Sequence, residues 1–167
     1  MNNKFTYILL ATFIVASTFL WIYMFRGTAD PAADYIADER IKYKGDITLT
    51  MYHGEGCECC MRWAGYLEDH GVTVKEIQLE NPNSLKEEYG VAPILRSCHT
   101  AIVEGYVVEG HVPVEDIRRL LTERPDAIGI SAPGMPINAP GMDAPVSREY
   151  QIILFDEENM SVYAVHH

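Results

Sequence analysis

A strand-to-helix turn that carries three cysteines in four residues constrains this chain more than any other feature of it. Ile47, Leu49 and Met51 alternate with Thr48, Thr50 and Tyr52, the period of a strand, here Ile47 to His53. Gly54-Glu55-Gly56 supplies a turn, and Cys57-Glu58-Cys59-Cys60 follows. Cys60, Trp63, Ala64 and Leu67 then recur at helical spacing, which predicts a helix over Met61 to His70 with Gly71 just beyond its end. A thiol at a helix start meets unpaired backbone N–H groups and the positive end of the helix dipole. Both favour the thiolate, the form that binds metals and attacks disulfides. The element therefore holds a soft metal, does redox chemistry, or does both.

The elements that follow say where this turn sits. Val72 to Leu79 reads as a second strand, and its broken parity between Val74 and Ile77 predicts a bulge or burial on both faces. Asn81-Pro82 has the form of a helix start, Asn as cap and Pro in the first turn, with Leu85 and Tyr89 on one apolar face. Thr100 to Glu104 and Tyr106 to Glu109 predict a hairpin about Glu104-Gly105. Pro113 opens a third helix that buries Val114, Ile117, Leu120 and Leu121. This is the element order of a thioredoxin-like α/β domain, whose first strand-to-helix turn carries a Cys-x-x-Cys pair, and Cys57 and Cys60 have that spacing. In such a domain the third strand starts beside that turn, so Cys98 is expected to join the other three cysteines. Ala127 to Pro145 shows little secondary-structure signal but echoes itself, Ala132-Pro133-Gly134-Met135 and Ala139-Pro140-Gly141-Met142. Tyr150 to Phe155 and Met160 to Val165 predict a C-terminal β-hairpin extension, with His166-His167 as a solvated tail.

Phe5 to Phe25 contains no charged residue. As a helix these residues span roughly 31 Å, which matches a hydrocarbon core of about 30 Å. The run exceeds the apolar core of an ordinary signal peptide, so an N-terminal membrane anchor is expected, with a small-residue site at Gly27-Thr28-Ala29 leaving cleavage open. The expected organisation is an anchor or signal segment over 1–26, a tether over 27–45 and one metal-binding domain over 46–167. Export of that domain would place its cysteines in an oxidising compartment. The net charge of −11, with no basic face, argues against a nucleic-acid partner.

Several chemistries compete for the four cysteines. Two structural disulfides fit the count, but adjacent Cys59 and Cys60 make poor staples. Zinc sites usually use two separated Cys-x-x-Cys knuckles, and the spacing does not suit an iron–sulfur cluster. Soft thiolates with nearby thioethers select Cu(I) best, and closely set thiolates can bridge more than one ion. Met135 and Met142 are the thioether candidates, while Met51 and Met61 are expected in the core. His111, just before a helix, and His53 are candidate outer ligands. His99 adjoins Cys98, but neighbours on a strand point to opposite faces, so both ligate only if the strand start is irregular. Trp63 is expected in the core and His70 on the surface.

Taken together, Cys57-Glu58-Cys59-Cys60 with Trp63, Leu95 to Ala101, Val107-Val108-Glu109-Gly110-His111-Val112-Pro113, Ile117 to Leu121 with Arg124-Pro125, Pro133-Gly134-Met135-Pro136 and Pro140-Gly141-Met142 resemble the CopG-type copper-resistance family. The resemblance runs from about Ile47 to Val165. It implies a thioredoxin-like domain that binds copper in the bacterial periplasm. The family's Cys-x-Cys-Cys motif maps onto Cys57, Cys59 and Cys60, its Ser-Cys-His-Thr cysteine onto Cys98, its Gly-His-Val-Pro histidine onto His111 and its Pro-Gly-Met-Pro methionine onto Met135. What it implies further is a small copper cluster, with redox cycling, and copper ions and other periplasmic copper-handling proteins as partners. The inner membrane is expected as a partner from the uncharged run over residues 5–25, which lies outside the resemblance. The competing expectation is a thiol–disulfide oxidoreductase using Cys57 and Cys60.

Overall fold

In the structure, a computed structural model, β1 (Ile47–His53) buries Ile47, Leu49, Met51 and His53 and turns Thr48 outward, as the alternation requires. The residues described are 43, 45–142, 144 and 148–167. The expected anchor and, apart from Tyr43 and Gly45, its tether lie outside them. Among the described residues no helix is long and apolar enough to cross a membrane.

Helix α1 (Glu58–Asp69) begins inside the cysteine motif, earlier than the apolar spacing alone indicates, with Cys57 as its N-cap. It buries Cys60, Trp63, Ala64 and Leu67. Met61, expected in the core, is instead exposed on α1. Strand β2 (Val72–Gln78) runs parallel to β1 in unbroken register from Ile47↔Val72 to His53↔Gln78. It is an edge strand with only Val72 buried, so its broken parity reflects neither a bulge nor burial on two faces. An edge strand has one neighbour, and its solvent side imposes no alternation.

Helix α2 (Pro82–Glu88) is capped as expected, Asn81 Oδ1 accepting from the Asn83 N–H at 3.2 Å. Its buried residue is Lys86, while Leu85 and Tyr89 are half-buried. A short 3-10 turn, Pro93–Leu95, leads to β3 (His99–Val103), which pairs with β4 (Tyr106–Glu109) through a turn with positive φ at Glu104 and Gly105. Helix α3 (Val114–Glu123) buries Val114, Ile117, Leu120 and Leu121, and also Asp116.

Beyond α3 the chain is more regular than its sequence suggests. Gly129–Ser131 forms β5, fully buried between β4 (parallel) and β6 (antiparallel). Three residues carry no readable period, and pairing on both sides sets their conformation. The predicted hairpin is β6 (Tyr150–Phe155) and β7 (Met160–His166), and it continues one sheet that among the described residues has seven strands, ordered β2-β1-β3-β4-β5-β6-β7. His166 is not a solvated tail: it closes β7, its Nε2 lies 2.7 Å from Asp116 Oδ2 on α3, and its ring stacks on Tyr150. The mixed α/β core has a main cluster around Trp63, Leu67, Leu49, Met51, Ile117 and Leu120, and a smaller one of Val91, Leu95, Val107 and Phe155. Each such fully buried side chain contributes about 1.5–3 kcal/mol against exposure.

Candidate metal centre

Four sulfurs converge where β1 meets α1. Cys57 and Cys60 are joined as a disulfide across the first turn of α1, and Cys59 and Cys98 are free. Cys59 Sγ lies 3.6 Å from Cys57 Sγ and 3.9 Å from Cys98 Sγ. All four donor atoms fall within 4.8 Å of one another. Cys60 is fully buried, and the other three are half-buried. The inner face of the cluster is thus sealed by the core, and its outer face is reachable.

Cys98 also belongs to a second group with His99 and His111, again within 4.8 Å. Cys98 Sγ is 3.3 Å from His99 Nδ1 and 3.1 Å from His111 Nε2. The irregular strand start that joint use of Cys98 and His99 requires is present, because Cys98 is not in the strand. It lies in a bend between Ser97, which makes an isolated bridge to Gly134, and the first residue of β3.

The protonation of this corner follows from its partners. His111 Nδ1 lies 2.7 Å from the Pro140 carbonyl oxygen, which only accepts, so Nδ1 carries the proton. Burial lowers the His111 pKa, so the ring is neutral and Nε2 presents a bare lone pair to Cys98. Burial, and then the neighbouring Cys59 sulfur, push the Cys98 thiol up to about 12. Cys98 is therefore a thiol whose proton faces an acceptor, the arrangement a metal ion replaces when it takes that proton's place. His99 is fully buried, and burial followed by the charges of His111 and Lys86 drives its pKa well down. Its ring centroid is 4.4 Å from that of Trp63, and among the described residues its Nε2 has no hydrogen-bond partner. Trp63 is in turn fixed by its indole N–H donating to the Val112 carbonyl at 2.9 Å.

The two sequence echoes bracket this corner. In the first, the Gly134 N–H donates to the Arg96 carbonyl at 3.2 Å and Ser97 Oγ donates to the Gly134 carbonyl, which places Met135 next to the Cys98 bend in an exposed position. In the second, Pro140 holds His111, and Arg62 Nε donates to the Gly141 carbonyl at 2.9 Å. Gly141 has φ +81°, and a Cβ there would lie 2.6 Å from the Trp63 nitrogen. Only glycine lets this segment press onto the first turns of α1. Met142 follows, half-buried. His53 belongs to neither donor group; its Nδ1 is 2.8 Å from the Gly54 carbonyl. His70 is exposed, as expected.

Sequence reasoning missed the polar support beneath the site: Glu109, Lys86 and Thr100, all buried and joined by hydrogen bonds. The signal available was a lysine in a short helix and a glutamate between apolar residues, and neither alone says that they meet.

Two solved structures share this architecture. One, titled copper resistance protein CopG, form 2, is 33% identical with a TM-score of 0.70, over 74% of this chain and 100% of that one. The chain belongs to the CopG copper-resistance family. Form 1 of the same protein matches equally, at 33% identity and a TM-score of 0.69, over 73% of this chain and 98% of that one. A family model described as "Protein of unknown function, DUF411" matches residues 95–142, the stretch that holds Cys98, His111 and Met135. No curated protein matches. The CopG resemblance read from the sequence is thereby confirmed, and the residues that family contributes to the resemblance at Cys98 and His111 are the ones that the fold brings to the cysteine turn.

Proposed function

We propose that this chain is a copper-binding protein of copper resistance that holds Cu(I) through Cys57, Cys59, Cys60 and Cys98, with His111 and Met135 as further ligands. The observation that carries the reading is the convergence of four sulfurs within 4.8 Å, with His111 Nε2 directed at one of them. Thiolate with imidazole and thioether is the donor set that suits Cu(I). Family membership supports the choice of copper, since the related structures are those of a copper resistance protein. Sulfurs this close can bridge, so more than one copper is expected per chain. The domain is thioredoxin-like on this reading, supported by the order β2-β1-β3-β4, with β1 parallel to β2, and by the Cys57–Cys60 pair at the first strand-to-helix turn. It works in the periplasm, and residues 5–25 anchor it to the inner membrane. Loading requires that an external dithiol first reduce the Cys57–Cys60 disulfide by exchange, giving two electrons and itself becoming a disulfide, so that both sulfurs are free to ligate as thiolates.

That disulfide also favours a second reading, a thiol–disulfide oxidoreductase. Anaerobic reduction of the chain, addition of Cu(I), desalting and elemental analysis with thiol counting separate the two. Two or more coppers per chain with all four thiols protected supports the copper site. No retained copper, with Cys57 and Cys60 cycling to a disulfide, overturns it. In Cys59→Ser/Cys98→Ser, loss of copper supports the first reading, and disulfide-reductase activity kept intact supports the second.

A further inference from the structure

Cys98 lies in a bend, so its own backbone pairing does not hold it in place. What flanks it does. The Ser97 N–H donates to Glu109 Oε1 at 2.6 Å, and the Thr100 hydroxyl donates to Glu109 Oε2 at 2.6 Å. One carboxylate thus grips the residue before Cys98-His99 and the residue after it. The same residue ends β4 and leads through Gly110 into His111. Gly110 has φ +75°, and a Cβ there would lie 2.5 Å from Ser97 Oγ and 2.9 Å from the Ala132 carbonyl, so the two segments are in direct contact. The Gly110 N–H donates to the His99 carbonyl at 3.0 Å.

The carboxylate is fully buried, and its counter-charge is the equally buried Lys86 amine from α2, 2.6 Å away, which also donates to Thr100 Oγ1 at 2.9 Å. A carboxylate suits the position because it accepts on both oxygens and donates nothing, and here three donors converge on it. A buried ion pair is a poor device for stability alone, since apolar residues of like volume often do as well. The pair sits where it fixes both Cys98 and His111.

We propose that Glu109, neutralised by Lys86, is the positioning residue of the copper centre: it holds the Cys98 thiol against His111 Nε2. This rests on the copper-binding reading for its purpose, but the positioning itself is measurable without metal. Glu109 does not touch the ion; it acts through Ser97 and Thr100. Partners of this kind typically change metal affinity by about 10–100-fold when removed.

The test uses Lys86→Met/Glu109→Leu, which removes both charges together, and Thr100→Val, which cuts one link. In the reduced, metal-free chain, alkylation of Cys98 and Cys59 is followed by peptide mass spectrometry, and Cu(I) affinity is measured by chelator competition. The double variant is expected to melt cooperatively, to alkylate Cys98 about tenfold faster or more with Cys59 unchanged, and to bind Cu(I) about 10–100-fold more weakly. Thr100→Val moves both quantities in the same direction by less. Ile152→Val, a core truncation on β6, leaves Cys98 alkylation as in the wild type and so separates positioning from general loosening. Wild-type Cys98 alkylation and Cu(I) affinity in a folded double variant overturn the proposal, as does unchanged Cys98 alkylation in Thr100→Val should the double variant not fold. A wild-type chain that retains no copper removes the copper reading, while the alkylation rates still decide whether Glu109 places Cys98.

Discussion

His111 Nε2 lies 3.1 Å from Cys98 Sγ because His111 Nδ1 is committed to the Pro140 carbonyl at 2.7 Å. Three stretches far apart in sequence meet in this one contact. His111→Ala removes the imidazole and is expected to weaken Cu(I) binding beyond the roughly 10–100-fold typical of outer partners. Chelator competition measures this, with circular dichroism to confirm the fold. An affinity equal to the wild type would remove His111 from the ligand set.

Copper loading is expected to release a proton at Cys98. Its thiol pKa, pushed up to about 12, leaves it protonated at pH 8, and a bound ion requires the thiolate. A pH-stat titration of the reduced chain with Cu(I) should release about one proton per chain fewer in Cys98→Ser than in the wild type. Equal proton release in both would mean that Cys98 does not ligate.

Gly141→Ala tests whether the second echo clamps the site. The new Cβ would meet the Trp63 backbone nitrogen at 2.6 Å, at a φ of +81°. The strain of placing a side chain there is about 1–3 kcal/mol, and relief requires the segment to lift and release His111. The expected result is a lower urea midpoint together with weaker Cu(I) binding. A loss of stability with Cu(I) affinity intact would show that Pro140 is not needed to orient His111.

Trp63→Phe keeps an aromatic ring beside His99 but loses the hydrogen bond to the Val112 carbonyl. Leaving that carbonyl unpaired, together with the smaller ring, is expected to cost about 1–3 kcal/mol, whereas Trp63→Ala should cost about 3–5 kcal/mol. Urea unfolding at pH 7 reads both.

The histidines pull stability in opposite directions with pH. His166 has its pKa raised, first by its hydrogen bond to Asp116, with burial opposing and the charges of Asp116 and Glu115 adding. Its contribution is fully present below the unfolded value of about 6.5 and is lost as pH rises through the raised folded value. His99 and His111 are lowered by burial, so the unfolded chain binds more protons and stability falls as pH drops below about 6.5. His166→Asn should therefore cost most below that pH and little at pH 8. His166 is half-exposed, and solvent screening limits the effect to about 1 kcal/mol. Unfolding curves at pH 5.5 and pH 8 give the comparison. A cost that grows toward pH 8 would contradict the sign.

Much of the fold was legible because several elements have one face in the core and one in water. β1 showed its period of two, α3 its apolar stripe, and the β3–β4 and β6–β7 hairpins their turn residues. Where that condition fails, the reading failed. β2 lies at an edge and buries only Val72. β5 has three residues, all buried, and no period to show. Met61 falls on the exposed side of α1 although its type suits a core. His166 looks like a tail until Asp116 on α3 is seen beside it.

By itself the sequence determined the chemistry on offer. Cysteines spaced as Cys57, Cys59 and Cys60 at a helix start share one local turn, since a helix sets their separation whatever surrounds it. It also marked Cys98, His111 and the methionines of the two Pro-Gly-Met echoes as candidate ligands. Only the tertiary structure decided which of them meet. Cys98 reaches His99 and His111 because a bend, not a strand, carries it, and His53 is left outside both donor groups. Lys86 and Glu109 are buried because each neutralises the other, a condition that neither residue's neighbours in sequence express. Local spacing fixes angles over a few residues, whereas contacts between distant segments depend on the packing of the whole sheet.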